Sequence, residues 1–439
     1  MKQPFRNYLI ALVSILAISY LGFGVEQSDF WPMLFCYGLA FGSYAWVIYR
    51  VKTHQQILFF LGLALVLRLI LVGAFPFLSD DIYRFIWDGR LIVQGYNPFN
   101  QLPSFYLQEG QEVEGLNQVL FDQLNSPNYF TIYPPVCQAI FATACWLFPK
   151  SWIGAAVVMK LFMVLFEVGS MALIWKLLAY FQLPIRRILL YALNPLMIIE
   201  ITGNLHFEGA MIFFLLLSLW FLVRSQWTWS ALAMALSVAV KLLPLMFLPL
   251  LIQHLGWKRS FRYFLIGGLA LLVLFSPLLN EVFLFHFGNS LDLYFRKFEF
   301  NASIYYLLRW LGFQLSGYNM IAIIGPGLGL LVLSSILYLS FRKMEANVAR
   351  LPLQMLLAVS IYLACTTTVH PWYTALPLVC CIFTPLRYPV WWTGLIFLTY
   401  VNYSYDPYWE NLYFVALEYL VLATLLYREY SQQQTLLSA

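Results

Sequence analysis

The sequence predicts an all-α, polytopic transmembrane helical bundle, and three observations carry that prediction. Of the 439 residues, 62% are hydrophobic and only 10% charged, against about 25% charged in soluble domains. Apolar runs of roughly the 20 residues needed to cross a bilayer recur almost from end to end. The basic residues, behind a net charge of +5, sit in short clusters between those runs, a pattern that sets membrane topology and argues against nucleic-acid binding. No stretch is left for a separate soluble domain, so residues 1–439 read as a single integral-membrane domain of about 13–14 helices.

Taken in order, spans are expected at 8–24, 30–49, 56–77, 152–179, 187–202, 207–223, 228–253, 260–279, 319–341, 351–369, 373–386, 389–402 and 411–427. Lys2 and Arg6 precede the first run as in a signal peptide, but no small-x-small cleavage site follows, so this run reads as a retained helix. The 228–253 run is long for one crossing and carries Lys241, Pro244 and Pro249 in its middle. It reads as two half-helices.

Positive-inside counting places Lys2/Arg6, Arg50/Lys52, Arg186/Arg187, Arg224, Lys258/Arg259/Arg262, Arg342/Lys343, Arg387 and Arg428 in the cytoplasm. The segment around Asp80, the 203–206 turn, the 280–318 loop, the His370 turn and the 403–410 turn then fall on the extracytoplasmic face. Tyr133 through Phe148 is apolar enough to cross, yet a crossing there would put Arg186 and Arg187 outside. That segment is expected to lie as a helix in the outer interface. Residues 78–151 thus form a large extracytoplasmic loop with interfacial helices, polar from about 100 to 130 where Glu109, Glu112, Glu114 and Asp122 fall. The six cysteines lie in or beside apolar runs without metal or redox spacing and are expected to be buried thiols.

The chemistry-bearing residues collect in five places. Asp80, Asp81, Arg84, Asp88 and Arg90 appear abruptly after the third apolar run, in a helical pattern closed by Gly95 and Asn97-Pro98. Adjacent carboxylates resist double ionisation, which raises one pKa and suits the pair to general-base work or to metal coordination. Glu200, Asn204, His206 and Glu208 bridge two apolar runs, and ionisable groups at membrane depth are functional candidates by default. Asn204 supplies an amide for hydroxyl recognition; a polar turn capping the next helix is the plainer alternative. Lys241 sits inside an apolar run, where a cation suits an anionic head group. The 286–309 loop interleaves His286, Arg296, Lys297, Asn301 and Arg309 with aromatics, which fits a lipid-phosphate and sugar site and equally an interfacial belt. His370-Pro371-Trp372-Tyr373 adds an imidazole to two residues that alone would be belt aromatics. No HExxH, Walker, GxSxG or dinucleotide signature occurs, and no cytoplasmic site for a soluble nucleotide-sugar donor is present.

The ordered set Asp80-Asp81-Ile82-Tyr83-Arg84, Trp87-Asp88-Gly89-Arg90, Gly95-Tyr96-Asn97-Pro98-Phe99, Tyr133-Pro134-Pro135, Asn194-Pro195, Asn204-Leu205-His206-Phe207-Glu208, Lys241-Leu242-Leu243-Pro244, Phe300-Asn301-Ala302-Ser303 and His370-Pro371-Trp372-Tyr373 resembles the GT-C class of integral-membrane glycosyltransferases. The likeness is greatest to bacterial mannosyltransferases that use polyprenyl-phosphate sugars. The resemblance implies inverting transfer of a hexose, mannose above all, from a polyprenyl phosphate to an extracytoplasmic lipid- or glycan-linked acceptor. It also implies a bacterial cytoplasmic membrane, with membrane lipids around the chain. A first-loop aspartate is the base in that class and sits eight residues before a glycine, as Asp81 does before Gly89, so Asp81 is favoured over Asp80. Many members carry Asp-Glu or Asp-x-Asp there; Asp80-Asp81 leaves a divalent metal, Mg or Mn, open as a cofactor.

For the leaving phosphate the cationic candidates are Lys241, Arg296, Lys297, His206 and His370. For sugar and acceptor they are Arg84, Asp88, Asn204, Glu208, Asn301, Trp372 and Tyr373. A rival reading is a transporter or flippase for a lipid-linked or polar solute, whose charges would line a pathway near the midplane. Here the polar clusters gather on one face. A purely structural protein leaves those clusters unexplained.

Overall fold

The computed structural model describes residues 3–111, 113–342 and 348–438; Lys2, Glu112 and Lys343 lie outside the described residues. The fold is all-helical, and among the described residues the only β pairing is one isolated parallel bridge, Phe300 with Thr368. Six helices are long and apolar enough to cross a bilayer, or seven if one bent pair counts as a single span. Large apolar side chains such as Leu269 and Val273, or Leu330 and Tyr338, stay exposed along whole helices. Only lipid accommodates apolar surface on that scale. The chain is an integral membrane protein.

Helices α1 (Gln3–Phe23), α2 (Phe30–Arg50) and α3 (His54–Val72) pack together where the first three spans are expected. A capping box, Thr53 with Gln56, starts α3. Its far end is closed from outside the helix: Lys160 Nζ donates to the carbonyls of Leu71, at 2.9 Å, and Ala74. Residues 78–151 then hold α4 (Asp81–Val93), α5 (Gln118–Phe121) and α6 (Pro135–Leu147). The longest of these has 13 residues, or about 20 Å at 1.5 Å per residue, short of a hydrocarbon core of about 30 Å. The apolar Tyr133–Phe148 stretch therefore does not span as one helix.

Next comes α7 (Trp152–Tyr180), the longest apolar helix, which turns Glu167 inward to a 2.7 Å ion pair with Arg68 of α3. The expected spans at 187–202 and 207–223 behave differently. They form α8 (Leu189–Ala192), α9 (Pro195–Met197), a π turn over Ile198–Gly203 and α10 (Glu208–Val223), with a bend of 110° between the Pro195–Gly203 piece and α10. The 228–253 run is broken as expected, into α11 (Trp227–Val238), a 3-10 turn over Leu243–Phe247 and α12 (Leu251–Leu255).

The rest comprises α13 (Trp257–Phe275), α14 (Phe283–Arg296), α15 (Ile304–Ser316), α16 (Ile321–Phe341), α17 (Leu351–Cys365), α18 (Ala375–Cys381), α19 (Tyr388–Leu395) and α20 (Leu412–Ser438). The expected spans at 373–386 and 389–402 yield only the 7-residue α18 and 8-residue α19 with flanking 3-10 turns. Pro371, Pro377, Pro385 and Pro389 cut the apolar run into pieces too short to cross as single α-helices. Arg187 donates to the carbonyls of Ile382 and Thr384, and Arg387 to those of Cys381 and Thr384, so two arginines cap the C-terminal end of α18. His370 and Trp372 precede its other end. All six cysteines are free, five of them buried.

Candidate active site

Helix α4 positions the acidic cluster because nearly every residue from Ile82 to Leu91 is buried. Phe85 stacks on Phe141 of α6 at 4.5 Å and meets Tyr133 and Phe207 edge-on at 4.9 and 5.5 Å. Gly89 sets the depth of this contact: a Cβ there would stand 2.5 Å from the Phe141 carbonyl oxygen and 2.7 Å from Cys145 Sγ. The Asp81-to-Gly89 spacing thus has a packing reason. It fixes how far α4 carries its N-terminal carboxylate past α6. Gly89→Ala should force the two helices apart and lower stability by about 1–3 kcal/mol, read as an earlier thermal transition in detergent. An unchanged transition would mean that α4 slides freely on α6.

At the exposed tip of α4, Asp80 is the N-cap and Asp81 the first helical residue, where the helix dipole favours an anion. Partial burial, and then the charge of Asp81, raise the Asp80 carboxyl above the usual range. Asp81 is 22% exposed; its Oδ1 accepts from Asn125 at 2.8 Å and its Oδ2 lies 3.9 Å from His206 Nε2.

His206 is delivered by the π turn. Leu205, next to it, holds φ +63°, a left-handed conformation unusual for a bulky residue, of the kind that persists where surrounding structure enforces it. The imidazole is 2% exposed, and its Nδ1 stands 3.0 Å from Glu200 Oε2 and 3.1 Å from the Glu200 carbonyl. Glu200 is itself fully buried and accepts from Tyr400 and, at 3.2 Å, from Asn204. The Asn204 amide is thereby committed to Glu200. Asn204 also lines a small hollow of about 10 Å³ with Leu21, Leu71, Phe75 and Phe77.

Trp372 lies on His206 with ring centroids 3.5 Å apart, and His370 covers its other face at 4.6 Å. Phe300 continues the pile on His370 at 4.8 Å. Both faces of the indole are therefore occupied, leaving only its edge for a sugar. Burial lowers the His370 imidazole to about 3; Asp81 opposes that shift, while His206 and Lys241 add to it. These four side chains thus share one electrostatic neighbourhood. Lys241, 26% exposed and three residues past the end of α11, forms an ion pair with Glu208 at the start of α10 and lies 5.8 Å from the Tyr373 ring centre.

The other residues expected at the site lie elsewhere. Arg84 is buried and bonds Asp88 at 2.9 Å and the carbonyls of Tyr129 and Ser126, while Asp88 also accepts from Thr131 and Gln138. Together they anchor the 126–138 segment to α4. Arg296 pairs with Asp292 on an exposed helix face, and Lys297 is exposed beyond it. Asn301, fully buried, donates its main-chain N–H to Glu410 and its amide to both oxygens of Glu418. It holds the backbone that sets Phe300 at the end of the ring pile.

Glu200 is a functional candidate in the sequence without a specific role, and Tyr400 and Asn125 are not singled out there at all. Glu200 carried a usable signal, as a carboxylate inside an apolar run. Asn125 carried none. Among the described residues no group of three or more His, Cys, Asp or Glu side chains is placed to hold a metal ion.

No curated protein matches the chain. A family model for the alpha-(1->6)-mannopyranosyltransferase N-terminal domain matches residues 13–256, more than half of the sequence. The match runs from α1 to the end of α12 and includes Asp81, His206, Glu208 and Lys241; His370 and Trp372 lie beyond it. The activity in the family's name is that of a mannosyltransferase, which makes the chain a glycosyltransferase by class. With both the matched length and the membrane-embedded helical fold in hand, the chain belongs to the alpha-(1->6)-mannopyranosyltransferase N-terminal domain family.

Proposed function

We propose that the protein transfers mannose, with inversion, from a polyprenyl phosphate to a hydroxyl of a lipid- or glycan-linked acceptor at the extracytoplasmic face of a bacterial cytoplasmic membrane. The observation that carries this reading is the approach of a partly exposed carboxylate, Asp81, to His206, which Trp372 joins to His370 and, through Tyr373, to Lys241. An acceptor hydroxyl loses its proton to Asp81 as its oxygen attacks the anomeric carbon. The bond from that carbon to the phosphate oxygen breaks, and the electron pair leaves on the phosphate. Positive charge must meet that oxygen as it develops. Lys241, with His370 beside it, is the cation best placed to do so.

Membrane sidedness supports the same assignment. Arg50 ends α2 and Lys52 lies in the turn before α3, with Asp81 beyond the far end of α3; Arg187 and Arg387 cap one end of α18, and His370 lies at the other. Positive-inside placement of the arginines puts the cluster outside, where nucleotide sugars are absent and lipid-linked sugars are the available donors. The whole chain acts as one catalytic domain in this reading, with residues 78–151 as its outer element. The lipid tail lies against apolar helix surfaces of the bundle.

The test is a panel of radiolabelled donors offered to the purified protein with membrane lipid extract as acceptor. Label should move from polyprenyl-phosphate mannose and not from nucleotide-linked mannose. Transfer from the nucleotide donor would overturn the face and the donor together. Donor uptake into sealed vesicles without transfer would favour the transporter reading.

A further inference from the structure

His206 stands between two carboxylates in a way that a phosphate ligand would not need. Glu200 accepts from Tyr400 and from the Asn204 amide besides facing Nδ1 of His206, so two other donors already converge on its carboxylate. Everything it offers to Nδ1, carboxylate oxygen and main-chain carbonyl alike, is an acceptor. Nδ1 therefore carries a proton, and Nε2 is the ring nitrogen left free to exchange one with a neighbour. Nε2 is buried, has no hydrogen-bond partner, and lies 3.9 Å from Asp81 Oδ2. The ring cannot swing toward another ligand because Trp372 lies flat on it, backed by His370. A phosphate approaching Nε2 would meet the Asp81 carboxylate, which repels it.

We propose that His206 is a positioning residue for Asp81 and its proton acceptor, and not part of the phosphate site. This rests on the reading of Asp81 as the base. The proton taken from the acceptor hydroxyl resides first on Asp81, whose new O–H points to Nε2 and passes the proton there. The imidazolium so formed is balanced by Glu200, and the Asp81 carboxylate is restored. After product leaves, the proton returns through Asp81 to water. The arrangement is one of a carboxylate orienting an imidazole that serves another reacting group.

The experiment is a double-mutant cycle on the full-length protein in detergent, with kcat and donor KM measured for His206→Gln, Asp81→Asn and the pair. Glutamine keeps an amide near the ring position without accepting a proton as imidazole does. His206→Gln should lower kcat on the order of 10- to 100-fold with donor KM unmoved. In the Asp81→Asn background the same change should cost almost nothing further, because its effect runs through Asp81. A rise in donor KM with kcat kept would return His206 to the phosphate site, and an undiminished loss in the Asp81→Asn background would also overturn the proposal. Near-normal turnover of Asp81→Asn alone would instead bring down the base assignment, and this proposal with it. If His206→Gln does not fold, His206→Asn is read by the same criteria.

Discussion

Asp81→Asn should reduce turnover by about 10² or more while donor lipid still binds. Asparagine preserves the shape of the side chain and its oxygen can still accept from Asn125, so what is lost is the capacity to take a proton. The neighbouring carboxylate provides the control. Asp80 makes no side-chain cap bond at the start of α4, and its carboxyl is held above the ordinary range by burial and by Asp81. Asp80→Asn removes that repulsive neighbour without touching His206, and should cost far less. Measured turnover at saturating donor, together with lipid binding for each variant, decides the matter. If Asp80→Asn abolished transfer while Asp81→Asn kept it, the base would lie one residue earlier. If neither change mattered, a carboxylate base in this segment would be excluded.

The N-terminal half of the fold was open to inspection in the sequence because its crossings are uninterrupted apolar runs, such as His54–Val72 and Trp152–Tyr180. Those runs became single helices. The C-terminal half was harder, since Pro371, Pro377, Pro385 and Pro389 break an equally apolar stretch without lowering its hydropathy. Hydropathy sees composition, and composition does not register a missing N–H. The candidate site divides along a similar line. Asp81, His206, Lys241 and His370 stood out as ionisable residues at the edges of apolar runs, and the structure brings them to one neighbourhood.

Partnership was what the sequence concealed. Arg84 and Asp88 looked as chemical as Asp81, but they are satisfied by groups roughly 40 to 50 positions downstream, at Ser126, Tyr129, Thr131 and Gln138. Glu200 is read correctly only beside Tyr400, 200 residues away. The same holds for Trp372, whose two faces are covered by residues on either side of it in the fold, one distant in sequence and one adjacent.

Lys241→Met should impair transfer strongly, and its interpretation turns on Glu208. From the sequence alone the lysine's anionic partner is expected to be the donor phosphate, yet the structure pairs it with the Glu208 carboxylate, 3% exposed and with its second oxygen lacking a hydrogen-bond partner. An ammonium held this way waits beside the acceptor face without the cost of an unpaired buried charge. An arriving phosphate then competes with Glu208 for it. Removing Lys241 should forfeit about 2–4 kcal/mol of transition-state stabilisation, or on the order of 30- to 1000-fold in rate. It also strands a buried carboxylate, and breaking such a pair from one side destabilises by about 3–5 kcal/mol. The single variant therefore confounds chemistry with folding. Adding Glu208→Gln separates them: the double variant should regain thermal stability in detergent and remain as poor in transfer as Lys241→Met. Glu208→Gln alone frees Lys241 from its competitor and should bind donor at least as tightly as the wild type. Transfer rate against donor concentration, with a thermal transition for each of the four proteins, gives the comparison. A double variant that recovers transfer along with stability would mean that Lys241 serves only to neutralise Glu208, and the leaving phosphate would then have to draw its positive charge from outside this cluster.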